Sequence, residues 1–344
     1  MALKTMRPAE RVGQDLDGRS TTTSSDTAAK TGPHVVCTTA EGNYFYGLAA
    51  LANSLVRAGF KGNIVVGYRD GRPAWLETLE KDPQCDAYLV TPEVHLQFVE
   101  IPGRWHLANY KGHLMHQIFR EIVPDAELVY FFDTDIFIDR SWETLAAWAR
   151  HGVVVVLDMA DTYMSPHHVY RRAWRALAER ANCDCRDFTG YVNSGCVGIN
   201  RRYAEFAETW GLLMEQLEKD GADMQKMKNW TGPLEFSRMD QDVLNATIMA
   251  TNTPISLLGF EAMGLFPWAG EVMPHAMHHR KPWARNYIFD ALRGFPPNRT
   301  YRNYWNFVDG PIRPFGEFEL KRKKMAVAIA RLIGRFHTRS LRDL

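Results

Sequence analysis

Apolar residues fall into two patterns that alternate along the chain. Short unbroken runs rich in valine, isoleucine and phenylalanine predict buried strands, whereas apolar residues that recur every three or four positions predict amphipathic helices. The predicted strands are 34–38, 63–67, 128–132, 153–157, 191–200 and 255–258. The predicted helices are 45–58, capped by Gly59, and 111–122, 142–149, 203–217 and 243–250.

Strand, helix and strand follow one another from residue 34 onward, which is the order of a βαβ unit and a parallel sheet. We therefore expect an α/β fold with a mixed, mainly parallel sheet flanked by helices. Ligands of such sheets bind beyond the carboxyl ends of the strands, where Thr38 and Thr39 lie. The alternative is that these threonines cap the following helix. No Gly-x-Gly-x-x-Gly and no Walker lysine motif follows, which argues against ordinary dinucleotide and P-loop sites.

The run Leu128-Val-Tyr-Phe-Phe132 ends on two acids, Asp133 and Asp135. Burying charge is costly unless the charge is paired or binds a metal, so we interpret the pair as a candidate site for a divalent cation. The Asp-x-Asp pattern alone is weak, because it also occurs at 15–17 and 240–242. A solvated strand end is the alternative for the middle copy, and helix capping is the alternative for the copy at 240–242.

Charge is unevenly distributed along a chain whose formal net charge is only +1. The balance as a whole gives no argument for nucleic acid as a partner. Residues 321–344 carry eight Lys or Arg against one acid, and a helical stripe runs from Met325 to Phe336. A basic amphipathic helix of this kind can lie on an anionic membrane surface. The alternatives are packing on the body of the protein and contact with another subunit.

Cysteine usage and the absence of long apolar runs bear on location. The five cysteines form no CxxC pair, which favours reduced thiols over a disulfide framework or a zinc ribbon. With no apolar signal segment and no apolar run of membrane-spanning length, we expect a cytoplasmic protein, with a peripheral position on the inner face of the membrane as a further expectation. We expect a flexible leader at 1–33, one domain at 34–315 and the basic helix at 316–344.

The segment Pro274-His-Ala-Met-His-His-Arg-Lys-Pro-Trp283 concentrates three histidines and a lysine within seven residues. A solvated basic loop is the plain interpretation. The functional one combines Asp133, Asp135 and a distant histidine around a metal, with a nearby lysine. Carboxylate oxygens suit Mn²⁺ or Mg²⁺, and a histidine ligand favours Mn²⁺. A cation and a lysine together neutralise the charge that develops on a diphosphate leaving group.

Taken in order, these segments resemble glycosyltransferase family 8, a retaining group that includes glycogenin and bacterial lipo-oligosaccharide galactosyltransferases. The resemblance covers about 35–283. Its motifs are Val36-Cys-Thr-Thr39 with Tyr44, Lys111, Phe131-Phe-Asp-Thr-Asp135, Asn193-Ser-Gly195, Asp240-Gln-Asp-Val-Leu-Asn245 and His275-x5-Lys281-Pro-Trp283. Each motif is weak by itself, and the ordered set is strong.

The resemblance implies a single nucleotide-diphospho-sugar transferase domain with a GT-A-type fold, and a Mn²⁺- or Mg²⁺-dependent hexosyltransferase that uses a UDP-sugar. The acceptor would be a hydroxyl of a glycan, a lipid-linked glycan or another molecule. The implied uridine contacts are Thr38, Thr39 and Tyr44. The implied metal ligands are Asp133, which would also contact ribose, Asp135 and His275. The implied donor-sugar contacts are Lys111, Asp158, Asn193, Ser194, Asp240 and Gln241. Lys281 would bind the diphosphate, and Asp240, Gln241 and Lys281 are the implied catalytic residues.

The family's reaction retains anomeric configuration. No carboxylate is obviously poised as a nucleophile and Gln241 would be a poor one, so we favour front-face attack. One departure concerns the loop after His275, where the family usually has glycine and this chain has His278. His278 or His279 is therefore a competing metal ligand.

Two other functions compete with this interpretation. A haloacid-dehalogenase-type phosphatase also uses Asp-x-Asp at a strand end, but its pair lies on the first strand. A non-catalytic protein that binds a nucleotide-sugar would share the same residues, so the sequence does not separate it from an enzyme. The segment 159–190, with Tyr163, His167, His168 and Tyr170, is a candidate acceptor-facing region.

Overall fold

A mixed sheet forms the centre of the protein. The computed structural model describes residues 32–159, 163–228, 234–265 and 272–337. Nine strands in this part of the chain form one sheet in the order β3-β4-β5-β2-β1-β6-β8-β7-β9. The strands are β1 (His34–Ala40), β2 (Gly62–Tyr68), β3 (Glu80–Lys81), β4 (Ala87–Thr91), β5 (Val94–Glu100), β6 (Leu128–Phe132), β7 (Val153–Leu157), β8 (Val192–Asn200) and β9 (Ile255–Leu258).

Most strands run in one direction. β1 pairs in parallel with β2 and β6, β2 pairs in parallel with β5, and β7 pairs in parallel with β9. β4 is antiparallel to β3 and β5, and β8 is antiparallel to β6 and β7. The predicted α/β fold with a mixed, mainly parallel sheet is thus confirmed. All six predicted strands are present, whereas the antiparallel edge formed by β3, β4 and β5 was not predicted.

The described residues contain nine α-helices. They are α1 (Phe45–Arg57), α2 (Lys111–Gln117), α3 (Trp142–Trp148), α4 (Val169–Arg180), α5 (Glu205–Lys219), α6 (Met239–Ala250), α7 (Tyr287–Leu292), α8 (Arg299–Phe307) and α9 (Glu317–Gly334). α1 ends just before Gly59, whose φ of +82° is the left-handed conformation that glycine supplies after a helix. A π-helical turn, Ile118–Ile122, extends α2 to the end of the predicted segment.

Each face of the sheet is covered by its own apolar cluster, because successive residues of a strand point to opposite faces. Cys37 of β1 packs in the cluster that contains Trp210 of α5 and Val243 of α6. Its neighbour Val36 packs in the cluster that contains Leu48 of α1. The two covered faces leave the ends of the strands as the places where polar side chains can gather.

A third apolar cluster joins α1 to the C-terminal helices. It includes Phe137, just beyond β6, and Trp283, Tyr304 and Trp305. α9 adds its own buried residues, Leu320, Val327 and Ala330. The chain from Gly32 onward is one structural unit.

α9 also carries apolar side chains that do not pack on the body. Those in the predicted stripe are Met325 (59% exposed), Ile329 (41%), Leu332 (53%) and Phe336 (85%). Of the predicted basic end, residues 338–344 lie outside the described part of the chain, as do residues 1–31 of the predicted leader. Among the helices described, none combines the length and the apolar character needed to cross a membrane.

Candidate active site

A returning loop brings His275 to the end of β6. The backbone of 274–276 pairs with that of 135–137 through an antiparallel bridge between Ile136 and His275. The amide of Ala276 donates to the carbonyl of Asp135 at 2.9 Å, and the amide of Phe137 donates to the carbonyl of Pro274 at 3.1 Å. These bonds fix His275 beside an aspartate that lies 140 positions earlier in the chain.

Asp133, Asp135 and His275 form a group with the chemistry of a metal site. One ligand atom from each lies within 4.8 Å of the other two. The Nε2 atom of His275 is 3.1 Å from Oδ1 of Asp135 and 3.8 Å from Oδ2 of Asp133. Gly195 keeps space beside them, because a Cβ there would lie 3.0 Å from both Asp133 Oδ2 and His275 Cε1. Two carboxylates and one imidazole suit Mn²⁺, so these residues fit the expected cation.

Lys281 closes the same group from the other side of Asp135. Its ammonium lies 2.5 Å from Oδ2 of Asp135 and donates to the carbonyl of Ala276 at 3.1 Å. Burial would raise the pKa of Asp135, but His275 and Lys281 hold it well below its usual range. Burial would lower the pKa of Lys281, and Asp135 raises it above the ordinary value instead. Both groups are therefore charged at neutral pH.

Lys111 is a buried cation at the centre of the site. Its Nζ lies 2.9 Å from Oδ1 of Asp133 and 2.9 Å from Oδ2 of Asp240. It also donates to the carbonyl and the hydroxyl of Ser194, at 3.1 and 3.2 Å. Burial opposes the charge on Lys111, but the two aspartates raise its pKa above the ordinary value. Lys111 thus links the acids after β6 to the first turn of α6.

The predicted donor-sugar residues lie together around the carboxyl end of β7, the first residues of β8 and the start of α6. Asp158 accepts hydrogen bonds from Asn193 Nδ2 at 3.0 Å and from Gln241 Nε2 at 3.2 Å. The hydroxyl of Ser194 donates to Asp240 at 2.6 Å. Asp240 and Gln241 are buried although they open a helix, so they face the site rather than solvent. The structure therefore brings together all the residues named for this role.

One further acid in this neighbourhood was not assigned a role from the sequence. Asp242 is 1% exposed and accepts hydrogen bonds from the Tyr191 hydroxyl and the Arg238 amide, each at 2.8 Å. Burial raises its pKa to about 7 against the effect of these bonds. The bond to the Arg238 amide is the capping role that the sequence allowed for this turn. The sequence signal for burial was weak, because acids in a first helical turn are usually solvated.

The predicted uridine contacts lie at the end of β1 and the start of the next turn. Thr38 is fully buried, and its hydroxyl has no hydrogen-bond partner within the described residues. Thr39 follows it and is half-buried. Tyr44 is 41% exposed and stands edge-on to Trp283, with ring centroids 5.9 Å apart. Burial raises the pKa of Tyr44, and Lys281 lowers it, which puts the phenol within electrostatic range of the site.

Negative charge is in excess at the site. Four aspartates (Asp133, Asp135, Asp158 and Asp240) lie with three cations (Lys111, Lys281 and Arg238), and Asp242, whose pKa is raised to about 7, adds a carboxyl that is partly ionised at neutral pH. Like charges held together at partly buried positions are unfavourable without a compensating cation. The arrangement therefore favours a divalent cation and disfavours a free anionic ligand without one.

The competing ligands and the acceptor-facing segment lie elsewhere. His278 and His279 line a separate cavity and are not in the metal-ligating group of Asp133, Asp135 and His275. In the segment 159–190, residues 160–162 lie outside the described residues. Tyr163 is 71% exposed, and Tyr170 contacts Tyr191, with ring centroids 6.3 Å apart. An acceptor contact for this segment remains a prediction.

Comparison with known proteins supports the fold. No protein-family model matches the chain, and no curated protein matches its sequence significantly. Among solved structures, the bifunctional glycosyltransferase WbbM is similar at 15% identity and a TM-score of 0.50, over 86% of this chain and 52% of that one. The galactosyltransferase LgtC, solved with donor and acceptor sugar analogues, is 14% identical with a TM-score of 0.48, over 84% of this chain and 99% of that one.

The fold is that of GT-A glycosyltransferases. At 15% identity the similarity to WbbM carries the fold and nothing finer, and this chain spans about half the length of WbbM. The resemblance to glycosyltransferase family 8 and the expected roles of individual residues therefore rest on the sequence motifs and on the geometry of the site.

Proposed function

We propose that this protein is a retaining glycosyltransferase of family 8 that transfers a hexose from a UDP-sugar to a hydroxyl of a glycan, a lipid-linked glycan or another acceptor. One observation carries the proposal. Asp133, Asp135, His275 and Lys281, from two distant parts of the chain, converge at the carboxyl edge of the sheet. That edge is where open α/β sheets bind nucleotides.

Different residues of the chain would contact different parts of a nucleotide-sugar. Thr38, whose buried hydroxyl has no hydrogen-bond partner among the described residues, and Tyr44 would contact the uridine. Asp133, Asp135 and His275 would hold Mn²⁺, or Mg²⁺, and such an ion supplies positive charge beside the leaving diphosphate. The ammonium of Lys281 would exchange its partner, from Asp135 to a phosphate oxygen, because an incoming anion competes for the same donor.

The sugar pocket favours front-face attack. Gln241 is a neutral amide already bonded to Asp158, and Asp240 is tied to Lys111 and Ser194. Neither group is a free carboxylate poised to form a covalent intermediate. In the front-face scheme the acceptor hydroxyl attacks from the side on which UDP leaves, and the departing phosphate oxygen takes its proton. Isolation of a glycosyl-enzyme would overturn this part of the proposal.

The test is release of UDP from a panel of UDP-sugars with Mn²⁺ present. We expect slow release into water from at least one sugar, and its loss in Asp135→Ala even in excess Mn²⁺. Intact release in that variant would overturn the metal site. Tight binding of a UDP-sugar without any release would favour the non-catalytic alternative, and phosphate release from a generic ester without a UDP-sugar would favour a phosphatase.

We also propose that α9 contacts an anionic membrane surface, in a chain organised as leader 1–33, domain 34–315 and basic helix 316–344. Two observations support this. The exposed apolar residues of α9 and of the turn that follows it form a stripe that the body does not cover: Phe318, Met325, Ile329, Leu332 and Phe336. Basic residues flank the stripe. Basic amphipathic helices bind anionic lipid through burial of apolar side chains and through electrostatic attraction.

Vesicle sedimentation with anionic and zwitterionic lipid tests the membrane contact. Leu332→Ser/Phe336→Ser removes two exposed side chains and leaves the packed face of α9 intact. Each side chain buried in lipid is worth roughly 1.5–3 kcal/mol, so the variant should bind anionic vesicles at least tenfold more weakly. Equal sedimentation of the two proteins would remove the proposal.

A further inference from the structure

A cavity rich in arginine lies beside the loop that carries Lys281. Its volume is about 280 Å³, and its lining includes His278, His279, Arg280, Arg285, Asp290 and Arg293. Three residues of the lining belong to the loop between His275 and Lys281, and the others come from 285 onward and from α7. The cavity is thus built by the same part of the chain that completes the candidate active site.

The positive charge of the cavity is only partly balanced. Arg285 donates to Asp290 at 2.8 Å, and its guanidinium lies 4.8 Å from the centroid of the Tyr301 ring. Arg280 and Arg293 have no carboxylate within ion-pair distance in the described residues, although Arg293 lies over the ring of Phe289. With neutral histidines, three arginines and one aspartate leave a net charge of +2 in the lining.

Nearby cations act on one histidine of the cavity, His278. Burial lowers the pKa of His278, and Arg285, His279 and Lys281 lower it further. Burial raises the pKa of Tyr301, Arg285 and Lys281 lower it, and Asp135 raises it. The Tyr301 hydroxyl donates to the carbonyl of Arg280 at 3.2 Å. The cavity is therefore within electrostatic range of Lys281 and Asp135, yet its lining shares no residue with the metal-ligating group.

We propose that this cavity binds a phosphate group carried by the acceptor of the transfer reaction. The identification of the ligand's carrier as the acceptor rests on the proposed function, whereas the phosphate chemistry rests on the cavity alone. Arginine presents paired donors that match phosphate oxygens, and a dianion balances the net charge that Asp290 leaves. The volume is below the roughly 300–1,000 Å³ of pockets that enclose drug-sized ligands, which suits a single anionic group.

Calorimetric titration with inorganic phosphate and with a sugar monophosphate tests the binding. We compare the wild type with Arg280→Gln/Arg293→Gln, and use Arg120→Gln, an exposed arginine of the α2–β6 connection, as the control. Since each arginine would donate charge-assisted hydrogen bonds to the phosphate, the double variant should bind at least tenfold more weakly and the control should be unchanged. No binding by the wild type, or equal weakening in the control, would overturn the proposal.

A second titration separates the cavity from the donor site. The wild type saturated with UDP and Mn²⁺ should still bind the sugar monophosphate with an affinity within about twofold of that of the free protein. Complete competition by UDP would overturn the proposal, because the phosphate would then occupy the diphosphate position.

Two further measurements identify the phosphate source and separate this proposal from the proposed function. Binding of soluble sugar phosphate points to a phosphorylated glycan. Binding of phosphatidic acid vesicles that is lost in the double variant, with α9 intact, points to a lipid headgroup. Absence of both kinds of binding would overturn the proposal.

UDP release into water should be the same in the double variant as in the wild type, and a loss of that release would contradict a separate cavity. If no UDP-sugar is turned over while phosphate binding still depends on the two arginines, the transferase proposal fails and the cavity stands.

Discussion

Asp242 shows how a single buried acid can make the stability of this protein depend on pH. The carboxyl group is 1% exposed, and burial raises its pKa to about 7. In the unfolded chain the same group has a pKa near 3.9. Between about pH 4 and pH 7 the Asp242 carboxyl group is therefore protonated more often in the folded protein than in the unfolded chain. The contribution of Asp242 to the free energy of unfolding is favourable at low pH and is lost as pH rises through 7.

We predict that Asp242→Asn reduces this dependence. Between pH 5 and pH 8 the free energy of unfolding of the wild type should fall by on the order of 2–3 kcal/mol more than that of the variant. Denaturant unfolding at several pH values measures the difference. Other titrating groups are common to both proteins and cancel, so parallel pH profiles would contradict the raised pKa.

Lys281 competes with a metal ion for Asp135. Its ammonium lies 2.5 Å from one oxygen of that carboxylate, so a cation that binds there must displace or repel it. We predict that Lys281→Gln binds Mn²⁺ about tenfold more tightly in the absence of nucleotide, since one unit of positive charge a few ångströms away costs more than 1 kcal/mol even near a protein surface. The same variant should bind UDP more weakly.

Manganese affinity measured by electron paramagnetic resonance checks this prediction. Lys61→Gln is the control, because Lys61 also pairs with a carboxylate at 2.7 Å, but at an exposed position. An unchanged Mn²⁺ affinity in Lys281→Gln, or an equal gain in the control, would show that Lys281 does not act on the metal position.

At the scale of residues, the sequence predicted which residues form the candidate site but not which ion pairs and hydrogen bonds they make with one another. Asp133, Asp135 and His275 were named from motifs, and the structure places them within one group. The part that could not be predicted is electrostatic. Four oxygen atoms surround the ammonium of Lys111, and they come from Asp133 after β6, Ser194 of β8 and Asp240 of α6. No local pattern records such a tertiary contact.

At the scale of elements, the first residues of β8 limit the space around the candidate metal ligands Asp133 and His275. Gly195 lies beside Asp133 and His275, and a methyl group there would come within 3.0 Å of both. We predict that Gly195→Ala weakens Mn²⁺ binding at least tenfold while the protein stays folded. Overpacking of this kind typically costs about 1–3 kcal/mol, which is less than the stability of an ordinary domain.

Gly103→Ala is the matched control for Gly195→Ala. A Cβ at Gly103 meets no atom within 4 Å, and its backbone is not in the left-handed region. Manganese affinity and circular dichroism together separate a local clash from unfolding. Equal Mn²⁺ affinity in Gly195→Ala and the wild type would mean that Asp133 and His275 move away from β8, and it would contradict the prediction.

Element prediction succeeded where one pattern dominated. β6 and β7 are uninterrupted apolar runs, β9 is interrupted only by Ser256, and the predicted bounds of all three match the structure. β5 was missed although its inward residues alternate with polar ones, because His95 and Gln97 break the apolar run. α4 was missed since arginines occupy much of it, and one of them, Arg171, is buried against the carbonyl of Met164. A buried arginine reverses the polarity on which the helix pattern depends.

At the scale of the whole molecule, the candidate site depends on how the C-terminal helices are held against the body. The loop that carries His275 and Lys281 is followed directly by α7, α8 and α9. Asn53 of α1 anchors the turn between α8 and α9, donating to the carbonyls of Phe307 at 2.7 Å and Ile312 at 2.8 Å. It also accepts from the amide of Ile312 at 3.0 Å. These contacts span more than 250 positions, and no periodicity in the sequence predicts them.

We predict that Asn53→Ala loosens this anchor. Three buried backbone groups lose their partner, and an unpaired buried group costs about 1–3 kcal/mol, so the variant should lose on the order of 3 kcal/mol of stability. Hydrogen exchange should rise most in α8 and α9, while β1 and β6 keep their protection because their ladder bonds are untouched. Asn252→Ala, an exposed asparagine, should change neither quantity. If exchange rose equally in β6, the helices and the sheet would unfold as one unit, and Asn53 would act on global stability rather than on the segment behind the Lys281 loop.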